Sequence, residues 1–391
     1  MRRILSLALL FAGALRADTV LVLSFFNHSQ SANLDWVGES IAQSVRDALA
    51  SEGVLLLARE DRLEAYRRLS LRPGAELTRA SILKIGESLD ASQVVYGFYE
   101  LLPADNPQSK GSLRITARIL DLKHTRQGAV YSEVGALEDL GSLAVHLGWQ
   151  TLQWLNPKAA PGEREFMKQR PAVRLDAVES YVRGLLSTST EQRHRYFTQA
   201  ARLDPQYSQP CFELGRIFWE QKDYKVAAGW LARVARSDPH YLEAQFFLGL
   251  CRFADGDFKG AELSFQLVAE AIPLNEVFND LGVVQAQRQD YSAAAASFRK
   301  ALEGDDADPD YHFNLGAALW RAGQYAAAAD SFRAVLTRNS TDSEATTMLG
   351  RTLKKEAPRP ADTQPNGKLR LKTNYEEAAF RQLQAELGIK K

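Results

Sequence analysis

A chain of 391 residues is too long for one ordinary domain, and 45% hydrophobic with 25% charged residues is the balance of a globular protein with a sizeable core. Lys plus Arg and Asp plus Glu stand at 48 each. No net field therefore draws the chain toward nucleic acid or an anionic lipid surface, and neither is expected as a partner.

At the N-terminus, Arg2 and Arg3 precede an apolar run from Ile4 to Ala12, with small residues at Gly13, Ala14 and Ala17. The run is too short to span a bilayer. It has the layout of a secretory signal peptide over residues 1–17, cut after Ala14 or Ala17; a buried N-terminal strand or helix is the alternative. No cysteine follows the run to carry a lipid, and no later stretch reaches the roughly 18 apolar residues of a membrane helix. The expectation is a periplasmic or secreted protein with no integral membrane segment.

Residues 18–155 alternate between strand and helix patterns. Val20 to Phe26 is a nearly continuous apolar run, as for a strand buried on both faces. A helix from Asp35 sets Val37, Ile41, Val45 and Leu49 on one side, and Val54 to Ala58 reads as a second strand. Asp61, with Glu64 three residues on, can cap the helix DRLEAYRRL. A helix near Ala80–Leu89 leads to the strand QVVYGFY. The alternation from Leu113 to Ile119, a turn at Lys123–Gly128 and AVYSEV then form an antiparallel hairpin, followed by a helix over Asp139–Leu155. The pattern predicts an α/β domain built on a mixed sheet.

The segments LVLSFFNHS, NLDWVGESIAQSVRDAL, VLLLAREDRLEAY and RITARILDLKHTRQGAV carry a resemblance to the α/β module at the N-terminus of TolB-type envelope proteins. That resemblance implies a protein-contact module without catalytic residues. The β-propeller that follows the module in TolB is absent, replaced here by repeats. Between the halves, residues 156–174 (NPKAAPGEREFMKQRPAVR) read as a linker whose centre can form a short helix.

In residues 175–391 a Leu-Gly pair recurs, with its glycines at Gly215, Gly249, Gly282, Gly316 and Gly350, spaced 34, 33, 34 and 34 apart. Nine residues after the first four glycines stand Tyr224, Phe258, Tyr291 and Tyr325. Ala227, Ala261, Ala294 and Ala328 come next, then Leu231, Phe265, Phe298 and Phe332. Small residues suit the close crossing of two helices, aromatics fill the wider gaps, and Pro205, Pro239 and Pro273 end second helices. This pattern resembles the tetratricopeptide repeat (TPR). It implies an all-α superhelical solenoid of about five repeats, starting with an atypical unit near Asp176–Pro205. A sixth unit is interrupted by a mobile loop at 357–372 and resumes at Tyr375–Ala378. Cys211 and Cys251 fall on successive repeats and are expected as buried free thiols.

In the resembled family, positions 2, 5, 9, 12 and 13 of each unit face a concave groove. Carried over, they give Phe212, Arg216 and Trp219; Phe246, Leu250 and Phe253; Asn279; and Phe313, Trp320 and Arg321, with Asp310 and Glu243 beside them. Aromatics with arginine nearby are the residue types of binding hot spots, which points to an extended peptide or amphipathic helix as partner. The competing reading is that these aromatics pack against neighbouring helices or under the N-terminal domain. The Lys and Asn of repeats that clamp a C-terminal carboxylate are missing.

No phosphate-binding GxxxxGK[ST], dinucleotide GxGxxG, HExxH, CxxC or GxSxG is present, and the six histidines are scattered. Asp35 and Glu39 lie on one helix and read as a solvated face. No catalytic residue, cofactor or metal is expected. The sequence predicts a non-enzymatic protein-binding scaffold of the bacterial cell envelope; a polysaccharide- or small-ligand-binding accessory protein is the alternative.

Overall fold

A computed structural model describes residues 18–29, 31–103, 111–170, 172–358 and 368–387. The signal-peptide segment 1–17 lies outside the described residues, as does 359–367 of the span expected as a mobile loop.

The N-terminal half contains β1 (Val20–Val22), β2 (Phe26–Asn27), α1 (Trp36–Ala50), α2 (Arg59–Arg68), α3 (Arg79–Ser88), β3 (Gln93–Leu102), β4 (Ser112–Asp121), β5 (Arg126–Ala136) and α4 (Leu140–Leu155). The sheet runs β1-β3-β4-β5, with β2 also on β3. β1 and β2 are parallel to β3, while β3, β4 and β5 pair antiparallel, so the sheet is mixed as expected. The apolar run of β1 has a simple cause. Val20 and Val22 enter the core under α1, while Leu21 and Leu23 enter a second core with α2 and α3 residues on the other face.

Three local expectations change. Val54–Ala58 is not a strand: it contributes only an isolated bridge between Leu56 and Val20. Asp61 is not the residue that starts α2, which begins at Arg59; its carboxylate accepts the Ala58 N–H at 2.9 Å from inside the first turn. Glu39 is not on a solvated face. It is 4% exposed and receives two hydrogen bonds from buried Arg62 (2.6 and 2.7 Å) and one from Arg59 (2.8 Å).

Residues 156–174 hold a short helix, α5 (Glu163–Lys168). It is anchored by the fully buried Phe166, over which the Arg170 guanidinium lies at 3.6 Å while donating to Glu52 at 2.6 Å. Helical pairs follow: α6 (Leu175–Leu186) with α7 (Thr190–Leu203), α8 (Gln209–Glu220) with α9 (Tyr224–Leu231), α10 (Tyr241–Ala254) with α11 (Phe258–Ala271), α12 (Asn275–Gln287) with α13 (Tyr291–Gly304), and α14 (Pro309–Arg321) with α15 (Tyr325–Arg338). The single helix α16 (Ser343–Leu353) begins the sixth unit. The aspartates Asp223, Asp257 and Asp290 cap the second helices of their units through the N–H three residues on.

The repeated glycines act as the sequence implies. A Cβ on Gly282 would meet Phe298 at 2.6 Å, and one on Gly316 would meet Phe332 at 2.9 Å. Both cysteines are free and buried. One apolar core runs from α1 and the sheet into α6–α12, and Arg59 donates across the junction to the Leu185 carbonyl at 3.0 Å.

The last unit departs from expectation. Tyr375–Ala378 opens α17 (Glu377–Glu386), but α17 does not pair with α16, whose Gly350 faces open space. Phe380 of α17 instead belongs to the core shared with α1 and α10, and Arg381 reaches Asp61 of α2 at 3.5 Å. An aromatic three residues before an alanine fits any amphipathic helix, so the motif alone did not fix its partner.

Candidate functional site

The first helices of the units, α8, α10, α12, α14 and α16, form a common inner face. Along it lies the described C-terminal segment from Lys368 onward, which has no regular secondary structure until α17. The segment passes from α16 and α14 toward α12 and α10, against the order of the repeats. Composition placed residues 368–372 in a mobile loop; their polar backbone groups and side chains are instead held by the repeats.

Two asparagines grip its backbone. Asn314 accepts the Arg370 N–H at 2.7 Å and donates to the Arg370 carbonyl at 2.8 Å. Asn279 donates to that carbonyl at 2.9 Å and accepts from Asn314 at 2.7 Å. Both amides are fully buried. Further along, Asp280 accepts the Lys372 N–H at 2.8 Å and Glu276 accepts the Glu376 N–H at 3.0 Å. Side chains on helices thus supply the hydrogen bonds that an unpaired extended backbone must find.

Carboxylates receive its side chains. The Arg370 guanidinium lies 3.8 Å from the Phe313 ring centroid and bridges Asp310 (3.0 Å) and Asp342 (2.7 Å). Lys372 meets Asp308 and Asp310, each at 2.7 Å. Tyr375 packs edge-on against Phe246 at 4.9 Å and donates its hydroxyl to Glu243 at 2.9 Å. Burial alone would raise the Asp310 pKa, but Lys372 and Arg370 outweigh it and hold the carboxyl low. Burial also works against the charge of Arg370, and Asp342 and Asp310 more than restore it. Asp280 differs: burial keeps its pKa well above the usual carboxylate range despite the Lys372 N–H, and its Oδ2 is buried without a partner.

The structure brings Phe246, Asn279 and Phe313, together with Glu243 and Asp310, of the residues singled out from the sequence, against this segment. Trp320 is fully buried; its indole N–H donates to the Glu356 carbonyl at 2.9 Å, under the Arg351 guanidinium. Leu250 is core, and Phe253 packs on Phe258. Trp219 packs between Tyr224 and Phe247, and Arg216 lies over Phe247 at 4.4 Å. Phe212 stacks on His240 at 4.6 Å; with Arg216 it lines a cavity of about 330 Å³ between the two halves. Arg321 is half-buried beyond the segment's reach in the hydrogen bonds described.

Asn314, Asp280, Asp308 and Asp342 were missed. The first two sit at position 6 of their units, beside the position assigned to the groove, and the others at or just before the helix start. Asp308 and Asp342 look like ordinary helix caps, and position 6 is polar at Glu213 as well, so no sequence signal singled the four out. Among the described residues there is no cluster of side chains able to hold a metal ion, and no helix is long and apolar enough to cross a membrane.

Residues 194–241, 212–276 and 279–343 match the family model of the tetratricopeptide repeat. Over this span the helical array consists of tetratricopeptide repeats. Among solved structures it is similar to YrrB, described as a TPR protein with an unusual peptide-binding site (19% identity, 40% of this chain and 82% of that one, TM-score 0.37). It is also similar to MamA from Desulfovibrio magneticus RS-1 (23%, 44% and 100%, TM-score 0.39). The LpoB C-terminal domain from Salmonella enterica aligns more loosely (20%, 32% and 87%, TM-score 0.25). Comparison with curated proteins gave no match.

Proposed function

We propose that this protein is a non-enzymatic scaffold of the bacterial cell envelope whose TPR groove binds an extended segment of another protein. The observation that carries the reading is the Asn279–Asn314 clamp. Paired buried amides that take both the N–H and the C=O of one residue recognise a peptide backbone, whatever side chains flank it. In this reading the binding surface is the inner face of α10, α12 and α14, with Phe246, Asn279 and Phe313 joined by Asp310 and Asn314. Arg216 and Phe212 serve the junction with the N-terminal half, which we take as a TolB-like protein-contact module at 18–155, while Trp219 packs within the repeats. Export through residues 1–17 places the mature chain in the periplasm or outside the cell.

The polysaccharide alternative draws on the same mix of amides, carboxylates and aromatics. The amides are engaged with peptide groups here, which favours a peptide. Capture from envelope extract on the full chain, compared with Asp308→Arg, Asp310→Arg bait, tests the reading. A partner retained equally by the reversed groove removes the groove from the function.

A further inference from the structure

The groove is not an open surface: the chain's own segment 368–376 fills it. We propose that this segment is a built-in competitor. The groove then takes partners of the same chemistry, an extended stretch with basic residues two apart and an aromatic three residues later, and a partner must displace the tail to bind. The inference rests on the groove-binding reading above and adds the class of ligand and its regulation.

Three observations carry it. The contacts are those of a recognised peptide rather than of a packed core: backbone groups meet buried amides, and alternate side chains, Arg370 and Lys372, meet carboxylates. The charge selection is one-sided, since Asp308, Asp310 and Asp342 converge on the two cations with no basic side chain of the repeats among their ion pairs there. The fit is also incomplete, because Asp280 keeps one buried oxygen unpartnered and its carboxyl disfavours ionisation. A partner that places a hydrogen-bonding group at that oxygen satisfies a group the tail leaves bare. An incomplete intramolecular ligand is what a displaceable competitor requires. Its tether offsets the weaker fit, because a linked segment acts at an effective concentration on the order of millimolar.

The test uses a labelled synthetic peptide with the sequence of residues 368–377, KLRLKTNYEE, and the full chain. If the free peptide binds at about 10 μM, the tether weakens its apparent affinity for the unsubstituted chain by roughly 100-fold. The variant Arg370→Glu, Lys372→Glu undocks the tail and should bind the peptide tens of times more tightly. A peptide with glutamate in place of its arginine and second lysine should bind neither protein. Equal affinity of the KLRLKTNYEE peptide for both proteins, or equal affinity of both peptides, overturns the proposal. Hydrogen exchange on the unsubstituted chain covers the case of a misfolded variant. The Arg370 and Lys372 amides should be protected and lose protection with millimolar peptide; amides that exchange freely from the start sink the idea. A variant that turns a dimer into a monomer shows instead that the tail is exchanged between copies. If the peptide arms fail while a captured partner still depends on Asp308 and Asp310, only the competitor falls and the groove reading stands.

Discussion

Glu39 offers the sharpest test of how the two halves are joined. Its carboxylate is 4% exposed, takes two hydrogen bonds from Arg62 and one from Arg59, and Arg59 continues across the junction to the Leu185 carbonyl. Burial alone would raise the Glu39 pKa, but Arg62 and Arg59 outweigh it and bring the value down from 4.5 to about 2. At about 1.4 kcal/mol per pKa unit, that shift corresponds to roughly 3 kcal/mol of stability. Breaking a buried ion pair by removing one partner independently costs about 3–5 kcal/mol. Glu39→Gln keeps the shape and removes the charge, leaving Arg62 buried with an Nε that already lacks a partner. Denaturant unfolding at pH 7 should therefore show a loss of about 3 kcal/mol.

The pH dependence has a definite sign. A carboxyl with a lowered folded pKa stabilises fully above its unfolded value of 4.5, and that stability disappears as pH falls through about 2. The gap between parent and variant should thus shrink to less than half its neutral value by pH 3. A gap that is absent at pH 7, or one that stays constant down to pH 3, would refute the assignment of Glu39 as the charged centre of the junction.

Gly316→Leu should lose about 1–3 kcal/mol or more by overpacking against Phe332, whereas Gly350→Ala, facing open space, should be neutral or slightly stabilising by thermal melt. Asp280→Asn keeps the acceptor for the Lys372 N–H and removes a carboxyl whose ionisation burial opposes, so at pH 7 it should be at least as stable as the parent. That advantage should fade as the pH is lowered and Asp280 takes up its proton; a clear loss at pH 7 contradicts the burial argument. Protein recovered from the envelope should begin at Leu15 or Asp18 by N-terminal sequencing, and intact Met1 on cytoplasmic protein defeats the export proposal.

The fold was legible where one force dominated. The continuous apolar run at Val20–Leu23 announced a strand covered on both faces, and the roughly 34-residue period placed every glycine crossing, from Gly215 against Leu231 to Gly316 against Phe332. Legibility failed where an element's fate depended on distant neighbours. Val54–Ala58 carries strand-forming residues but finds only one partner position, beside Val20, so it bridges without extending. Glu39 follows helical spacing onto a face that solvent would normally reach; only the arrival of Arg59 and Arg62 from α2 makes that face interior.

The groove shows the same limit in its most consequential form. Repeat register points Glu243, Phe246, Asn279, Asp310 and Phe313 inward, yet register cannot say whether an inward face meets water, a partner or the chain itself. Phe246 and Phe313 are fully buried because Tyr375 and Arg370 lie over them. The cover was hidden in the sequence for two reasons. LRLK sits in a stretch whose proline and charge content suit a loop, and its two cations have no local carboxylate partner to mark them as docked. Their partners, Asp308, Asp310 and Asp342, lie 28–64 residues earlier in the chain. Position 6 itself is no marker, since the five Leu-Gly units carry Glu213, Phe247, Asp280, Asn314 and Met348 there, three of them polar. A buried amide or carboxylate inside a solenoid is costly unless something hydrogen-bonds to it, and the backbone of Arg370 and Lys372 is what does so here. Fully buried polar side chains on the inner face, Asn279, Asp280 and Asn314, are therefore what reveals an occupied groove.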